Sequence, residues 1–245
     1  MLENPFEGPK AHDKGAPSGR TGAWEGELSA GAIAGEAWGL VRGTKGPFLL
    51  GVLGVVVVYG LTSVVTRTLG LDGQAQLLAG DFAGGLSRSL LGSLLLMPIT
   101  APVTAVLSQI ALTRARGGTP GFEDVRRVLD RAVPIILASL LTTVGLMVTA
   151  VIGLGLGGVV FAILSSSTLS IVLGYGLSPV EALKTSIKGT WSNFGLSVML
   201  VLYGFAALFA TALTLGVFAL WALPYFFLSV AVFTLRVFGP PTEPA

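Results

Sequence analysis

The sequence predicts an all-α polytopic membrane protein: six transmembrane helices in three hairpins, with cytoplasmic interfacial amphipathic helices between them. Three observations carry this prediction. Residues 133–173 and 195–235 each run more than forty positions without a charge. Hydrophobic residues make up 52% of the chain and charged ones 11%, whereas soluble domains average about 25% charged. Such a chain cannot cover its own surface with polar groups, so lipid must do so. Finally, the Lys and Arg residues fall almost entirely on one side of the predicted spans.

Residues 1–27 mix Pro, Gly and both charge signs with no apolar run. They lack the apolar core of a secretory signal and read as a disordered cytoplasmic tail. The only histidine, His12, lies there, as do the run Asn4, Pro5 and Phe6 and the later Trp24, whose aromatic rings could dock on a partner. The membrane domain is expected over 28–238, with a short C-terminal tail at 239–245. Cysteine is absent, which excludes disulfides, iron–sulfur clusters and cysteine-based zinc sites.

A helix crosses about 30 Å of hydrocarbon with about 20 residues. The first span is expected at 47–65. The second, 85–112, is longer and carries Pro98 and Pro102, which neighbouring helices can accommodate. Residues 133–175 as one helix would measure roughly 65 Å, about two bilayers, so the segment must fold back. Its turn is GLGLGG at 153–158, where glycine permits tight backbone conformations. The block 195–238 is a hairpin by the same arithmetic, with a less marked turn near Leu215 to Ala219 and Pro224 in the final span.

Six spans put both termini on one side. Lys10, Lys14, Arg20, Arg42, Lys45, Arg114, Arg116, Arg126, Arg127, Arg131, Lys184, Lys188 and Arg236 lie on that side, and Arg67 and Arg88 lie opposite. This bias predicts that both termini are cytoplasmic.

The segments before spans three and five look alike. TPGFEDVRRVLDRAVP (119–134) and SPVEALKTSIKGTWSNFG (178–195) each open with Thr or Ser and then Pro, the chemistry of a helix start. Ser178 with Glu181 forms a capping-box pattern. Apolar residues then recur at helical spacing: Phe122, Val125, Leu129 and Val133 in one, Val180, Leu183, Ile187 and Trp191 in the other. Charges fill the opposite faces, as expected of helices lying in the membrane interface. Residues 28–47 form a weaker third copy, with Ser29 as cap and Ile33, Ala37 and Leu40 as a partial stripe beside Trp38. The pattern suggests three units, each an interfacial helix followed by a hairpin.

No acid, base or metal-ligand cluster rises from the sequence, and no ionisable group lies well inside a predicted span. Proton relays and ion pathways normally need such groups, so neither an enzyme nor a cofactor is expected. The densest polar run in a span is Ser165, Ser166, Ser167, Thr168 and Ser170. With Thr100, Thr104 and Ser108 at i, i+4, i+8 on span two, it could line a polar cavity; packing by small hydroxyl residues is the simpler account. Arg114, Arg116, Arg126, Arg127 and Arg131, together with Lys184 and Lys188, are candidate contacts for anionic lipid headgroups. The expected partners are membrane lipids, other membrane proteins or a second copy, and not nucleic acid.

The positions Gly176, Glu181, Ala182, Leu183, Ser186, Asn193 and Phe194, in a glycine–EAL-x-x-S–Asn-Phe order leading into an apolar hairpin, carry a resemblance. The segment resembles the membrane domain of glycerophosphoryl diester phosphodiesterases and the YciC-like bacterial membrane proteins, mainly over 160–238. Gly189 stands four residues before Asn193, where the family tends to place Gly and Asn side by side. The resemblance implies six helices and inner-membrane residence but no activity, because catalysis in that group belongs to a separate soluble domain. Glu181 and Ala182 are also similar to the start of the coupling loop of ABC importer permeases. The leading expectation is therefore a non-enzymatic inner-membrane protein that organises lipids or partner proteins. The alternative is a small-molecule transporter or permease subunit.

Overall fold

The computed structural model describes residues 28–42, 44–153, 155–214 and 218–239. The tails expected over 1–27 and from 240 onward, and residues 215–217 of the last hairpin turn, lie outside these. The described residues form eleven helices and no strand: α1 (Ala30–Val41), α2 (Lys45–Thr68), α3 (Gln74–Leu78), α4 (Phe82–Ala115), α5 (Phe122–Asp130), α6 (Ala132–Ile152), α7 (Leu156–Ser165), α8 (Thr168–Tyr175), α9 (Pro179–Ser192), α10 (Phe194–Leu213) and α11 (Ala219–Phe238). Six helical stretches are long and apolar enough to cross a membrane: α2, α4, α6, α7 with α8, α10 and α11. The chain thus has an all-α polytopic membrane fold.

The three hairpins, α2/α4, α6/α7–α8 and α10/α11, pack in a closed ring. In each, the second helix is the inner one. Within the most apolar stretches of α4, α7–α8 and α11, 28%, 50% and 56% of residues are buried, against 11% in each of α2, α6 and α10. The inner helices α4, α8 and α11 all touch one another. Each first helix also leans on the inner helix of the unit before it: α6 on α4, α10 on α7, and α2 on α11. The short helices follow the same rule, α5 packing on α4, α9 on α7 and α8, and α1 on α11. A cyclic shift by one unit therefore maps the main contacts onto each other.

Local chemistry sets the helix boundaries. Ser29 caps α1 by accepting a hydrogen bond from the Ala32 N–H at 3.2 Å. Ser178 and Glu181 form the expected capping box at α9. The α5 helix starts at Phe122 rather than at the Thr–Pro pair, because the Asp124 carboxylate reaches back to the Gly121 N–H at 2.9 Å and caps from the third helical position. One residue joins α5 to α6 and one joins α9 to α10. Arg131 (φ −111°, ψ 20°) and Asn193 (φ −122°, ψ 33°) share nearly the same non-helical backbone.

The first unit departs from this device. Its α1 and α2 are separated by a longer joint, which Thr44 ties together by donating to the Leu40 and Val41 carbonyls at 3.2 and 3.0 Å. α1 is also packed more deeply than its weak stripe suggested. Ile33, Ala37 and Val41 are fully buried in the same cluster as Leu228, Ala231, Val232 and Leu235 of α11, and Trp38 packs on Tyr225 and Phe218. The packed stripe is Ile33, Ala37 and Val41, while Gly31, Gly35 and Gly39 face open space.

The fourth span contains a break that the sequence did not announce. Residues Ser166 and Ser167 interrupt the helix between α7 and α8. Ser186 of α9 compensates by donating to the Leu164 carbonyl at 2.8 Å, and the hydroxyls of Ser167 and Thr234 of α11 share a hydrogen bond at 3.0 Å. In a membrane such freed backbone groups persist only when protein satisfies them.

First and last helices are fastened by one ion pair, Arg236 to Glu36 at 2.6 Å, with side chains only 12% and 11% exposed. Removing one partner of a buried pair takes away part of what compensates the other charge. We therefore expect Glu36→Ala to destabilise the protein by about 3 kcal/mol, measured as unfolding in a detergent titration. An unchanged midpoint would show that α1 is held by its apolar face alone.

Candidate functional site

Two regions concentrate polar chemistry. One is the end of the bundle carrying α5, α9 and the last turn of α11. The other is a cleft toward the opposite end, where α2 and α4 are joined.

At the first end, the seven candidate cations divide into two groups. Arg114 donates to the Arg42 carbonyl at 3.3 Å, Arg116 to the Gly174 carbonyl at 3.3 Å and Arg131 to the Val172 carbonyl at 2.9 Å. The last two satisfy carbonyls of the final turn of α8, where a cation also meets the negative end of the helix dipole. Gly176 closes that turn in the left-handed conformation (φ +68°), and a β-carbon there would lie 3.1 Å from the Arg131 guanidinium. Burial holds the Arg116 guanidinium below its ordinary value. Arg126, Arg127, Lys184 and Lys188, by contrast, are exposed.

The faces of α5 and α9 explain this division. On α5, Asp124 and Val128 point into the protein, while Phe122, Leu129 and the adjoining Val133 are 82%, 61% and 67% exposed. On α9, the small residues Ala182, Ser186 and Thr190 are buried, while Val180 and Trp191 are exposed. Both helices thus turn their small or polar side inward and their large apolar side outward, next to four cations. Gly189 makes the inward packing possible, since a β-carbon there would collide with the Phe238 ring.

Sequence reasoning treated Asp124 as one charge on a solvated face. It is 3% exposed, and it accepts from Gln109 Nε2 at 3.1 Å and from the Thr113 hydroxyl as well as from Gly121. The signal available was its place three residues after an N-cap glycine, combined with the Gln109–Thr113 i, i+4 pair on the preceding span.

The cleft has a volume of about 670 Å³. Tyr59, Thr62, Ser63, Thr66 and Arg67 of α2 form one wall. Ser89, Ser93, Thr100 and Thr104 of α4 form the back, and Ser139 and Thr143 of α6 the other wall. Its floor is Met97 and Ala101 of α4 with Leu169 of α8. Because α2 and α6 flank α4 without an extended contact between them, the cleft opens sideways as well as endwise. Arg67 and Asp72, paired at 3.3 Å, stand at the rim.

Of the eight hydroxyl residues singled out in the sequence, the structure brings only Thr100 and Thr104 to this cleft. Ser108, Ser165, Ser167, Thr168 and Ser170 are buried elsewhere in the bundle, and Ser166 is exposed. The expected partnership of the two sets across one cavity is therefore replaced. The threonines of α4 face serine and threonine of α2 and α6, and the serine run packs against α9 and α11. Spacing placed Thr100 and Thr104 on one helix face, but only the fold could say which helix would stand opposite.

Among the described residues, no three His, Cys, Asp or Glu side chains come together as a metal site. Fold and geometry together define a multi-pass membrane protein with a basic end and a hydroxyl-lined cleft. No family model, curated protein or solved structure matches the chain.

The Asp124 network can be tested directly. Asp124→Ala removes the cap of α5 and its tie to α4, and we expect a loss of about 2 kcal/mol. Limited proteolysis would then cut faster in the connection at 116–121. Cleavage at the wild-type rate would mean that α5 is held by Val128 alone.

Proposed function

We propose that the chain is a non-enzymatic integral protein of the bacterial inner membrane, of the YciC-like kind, that gathers anionic lipids at its cytoplasmic end. One observation carries this reading: α5 and α9 present large apolar side chains and cations on the same outward surface, while α5 buries Asp124 and Val128 and α9 buries its small residues. Water would be a poor solvent for Phe122, Leu129, Val133 and Trp191. A bilayer interface covers the apolar groups and supplies phosphates to Arg126, Arg127, Lys184 and Lys188. Arg114, Arg116 and Arg131 are set aside for helix carbonyls, so the headgroup contacts fall to these four. The thirteen-to-two bias of basic residues supports the cytoplasmic orientation of this end. The cleft favours a second reading, a small-molecule transporter or permease subunit, with the cleft as the outward half of its path.

Two measurements test the leading reading. Lys184 is exposed at the basic end and Leu78 at the other. With a membrane-impermeant maleimide on intact cells, Leu78→Cys should label and Lys184→Cys should not, and the reverse pattern would overturn the orientation. In nanodiscs, the protein should retain phosphatidylglycerol over phosphatidylcholine, less so in high salt. Each interfacial cation contributes about 1 kcal/mol, so Arg126→Gln with Arg127→Gln should weaken that preference about thirtyfold. Equal retention of both lipids by the unaltered protein would sink the proposal.

A further inference from the structure

The cleft between α2, α4 and α6 has a chemical bias that its hydroxyl content alone does not reveal. A hydroxyl has one proton to donate and two lone pairs to accept with. Five of the lining hydroxyls have spent that proton on their own helices. Thr62 donates to the Tyr59 carbonyl at 3.0 Å and Thr66 to the Ser63 carbonyl at 3.0 Å. Ser93 donates to the Ser89 carbonyl at 2.8 Å, Thr100 to Leu96 at 3.2 Å and Thr104 to Thr100 at 3.0 Å. What these five can offer a ligand is lone pairs, arrayed along roughly three turns of α4 and the facing turns of α2. The lining's two charged groups, Arg67 and Asp72, neutralise each other at the rim, so no net charge favours an anion or a cation.

Apolar surface completes the site. The Tyr59 ring stands on one wall, and Met97 and Leu169 form the floor. A cleft with no net charge, five hydroxyls open only as acceptors beside others free to donate, and an aromatic residue on its wall matches a ligand that has many O–H groups and apolar C–H faces. From this we infer that the cleft binds a neutral polyhydroxyl group, a sugar, either as the headgroup of a glycolipid or as a free saccharide. The volume of about 670 Å³ falls within the roughly 300–1,000 Å³ of small-ligand sites. The side opening between α2 and α6 lets a headgroup enter while its acyl chains stay in the bilayer. The site is separate from the basic end, so it stands or falls independently of the anionic-lipid proposal.

Native mass spectrometry of the full chain in a sugar-free detergent tests it, with glucosyl diacylglycerol, glucose and phosphatidylcholine as probes. A saturable single adduct of the glucolipid without one of glucose supports a membrane-borne ligand, and an adduct of glucose as well supports a free saccharide. Thr100→Val with Thr104→Val removes two acceptors at nearly constant shape and should weaken the adduct about tenfold, while leaving phosphatidylglycerol retention unchanged. Should that variant not fold, Ser93→Phe fills the cleft from an exposed position and should abolish the adduct. Absence of any saturable sugar adduct, an adduct that phosphatidylcholine displaces equally well, or one that survives these substitutions at full occupancy overturns the proposal.

Discussion

The rest of the structure depends on the mutual packing of α4, α8 and α11. Between helices in lipid there is no hydrophobic drive, because the tails are as apolar as leucine. Association must come from close van der Waals fit and a few interhelical hydrogen bonds. The inner faces meet this demand with small residues: Ala101, Ala105, Ala111 and Ala115 on α4, and Ala222 and Ala231 on α11. The Thr234–Ser167 bond adds a polar tie where α8 meets α11. The outer helices then attach to this centre, each to its hairpin mate and to the inner helix of the unit before. The ring closes only because α1 and α2, at the start of the described chain, reach α11 at its end.

This closure separates what the sequence could reveal from what it could not. The hairpins were legible because bilayer thickness converts a charge-free run into a number of crossings. The short helices α5 and α9 were legible because caps and apolar spacing are local. The role of α1 was not, since its burial depends on a partner roughly two hundred residues away, and a short apolar stripe such as Ile33, Ala37 and Val41 looks the same beside lipid or beside α11. The break between α7 and α8 was hidden for a related reason. A run of hydroxyl residues is compatible with an unbroken helix, and only Ser186 and Thr234, from other helices, make the interruption affordable. The candidate site shows the same division. Its cations were visible as a cluster, but their assignment to carbonyls or to the surface depends on where α8 ends.

Arginine at the basic end serves two structural demands that are usually met separately. A helix ending near the membrane leaves carbonyls without partners, and the positive-inside bias calls for cations in the same place. Arg116 and Arg131 answer both at the end of α8. Their planar guanidinium groups can reach a carbonyl across a helix gap while keeping their charge. The cations left exposed stand on α5 and α9, the two helices whose large apolar residues point away from the protein. Charge count alone would have ranked all seven as equivalent.

The two ends of the bundle also differ in how far they are covered. Toward the basic end, α1, α5 and α9 each fill the space beside an inner helix. At the other end nothing comparable covers α4 between α2 and α6 except the five-residue α3 and the loop around it. The 34 residues of α4 make a helix about 51 Å long, well beyond a hydrocarbon layer, so its N-terminal half has more surface than its neighbours can bury. Pro98 and Pro102 withhold two backbone N–H groups near the point where cover ends. The threonines following them, at 100 and 104, return their protons to the helix. An over-long inner helix, two outer helices held apart across it, and hydroxyls already satisfied within their own turns produce a polar cleft without placing an unpaired charge inside the protein.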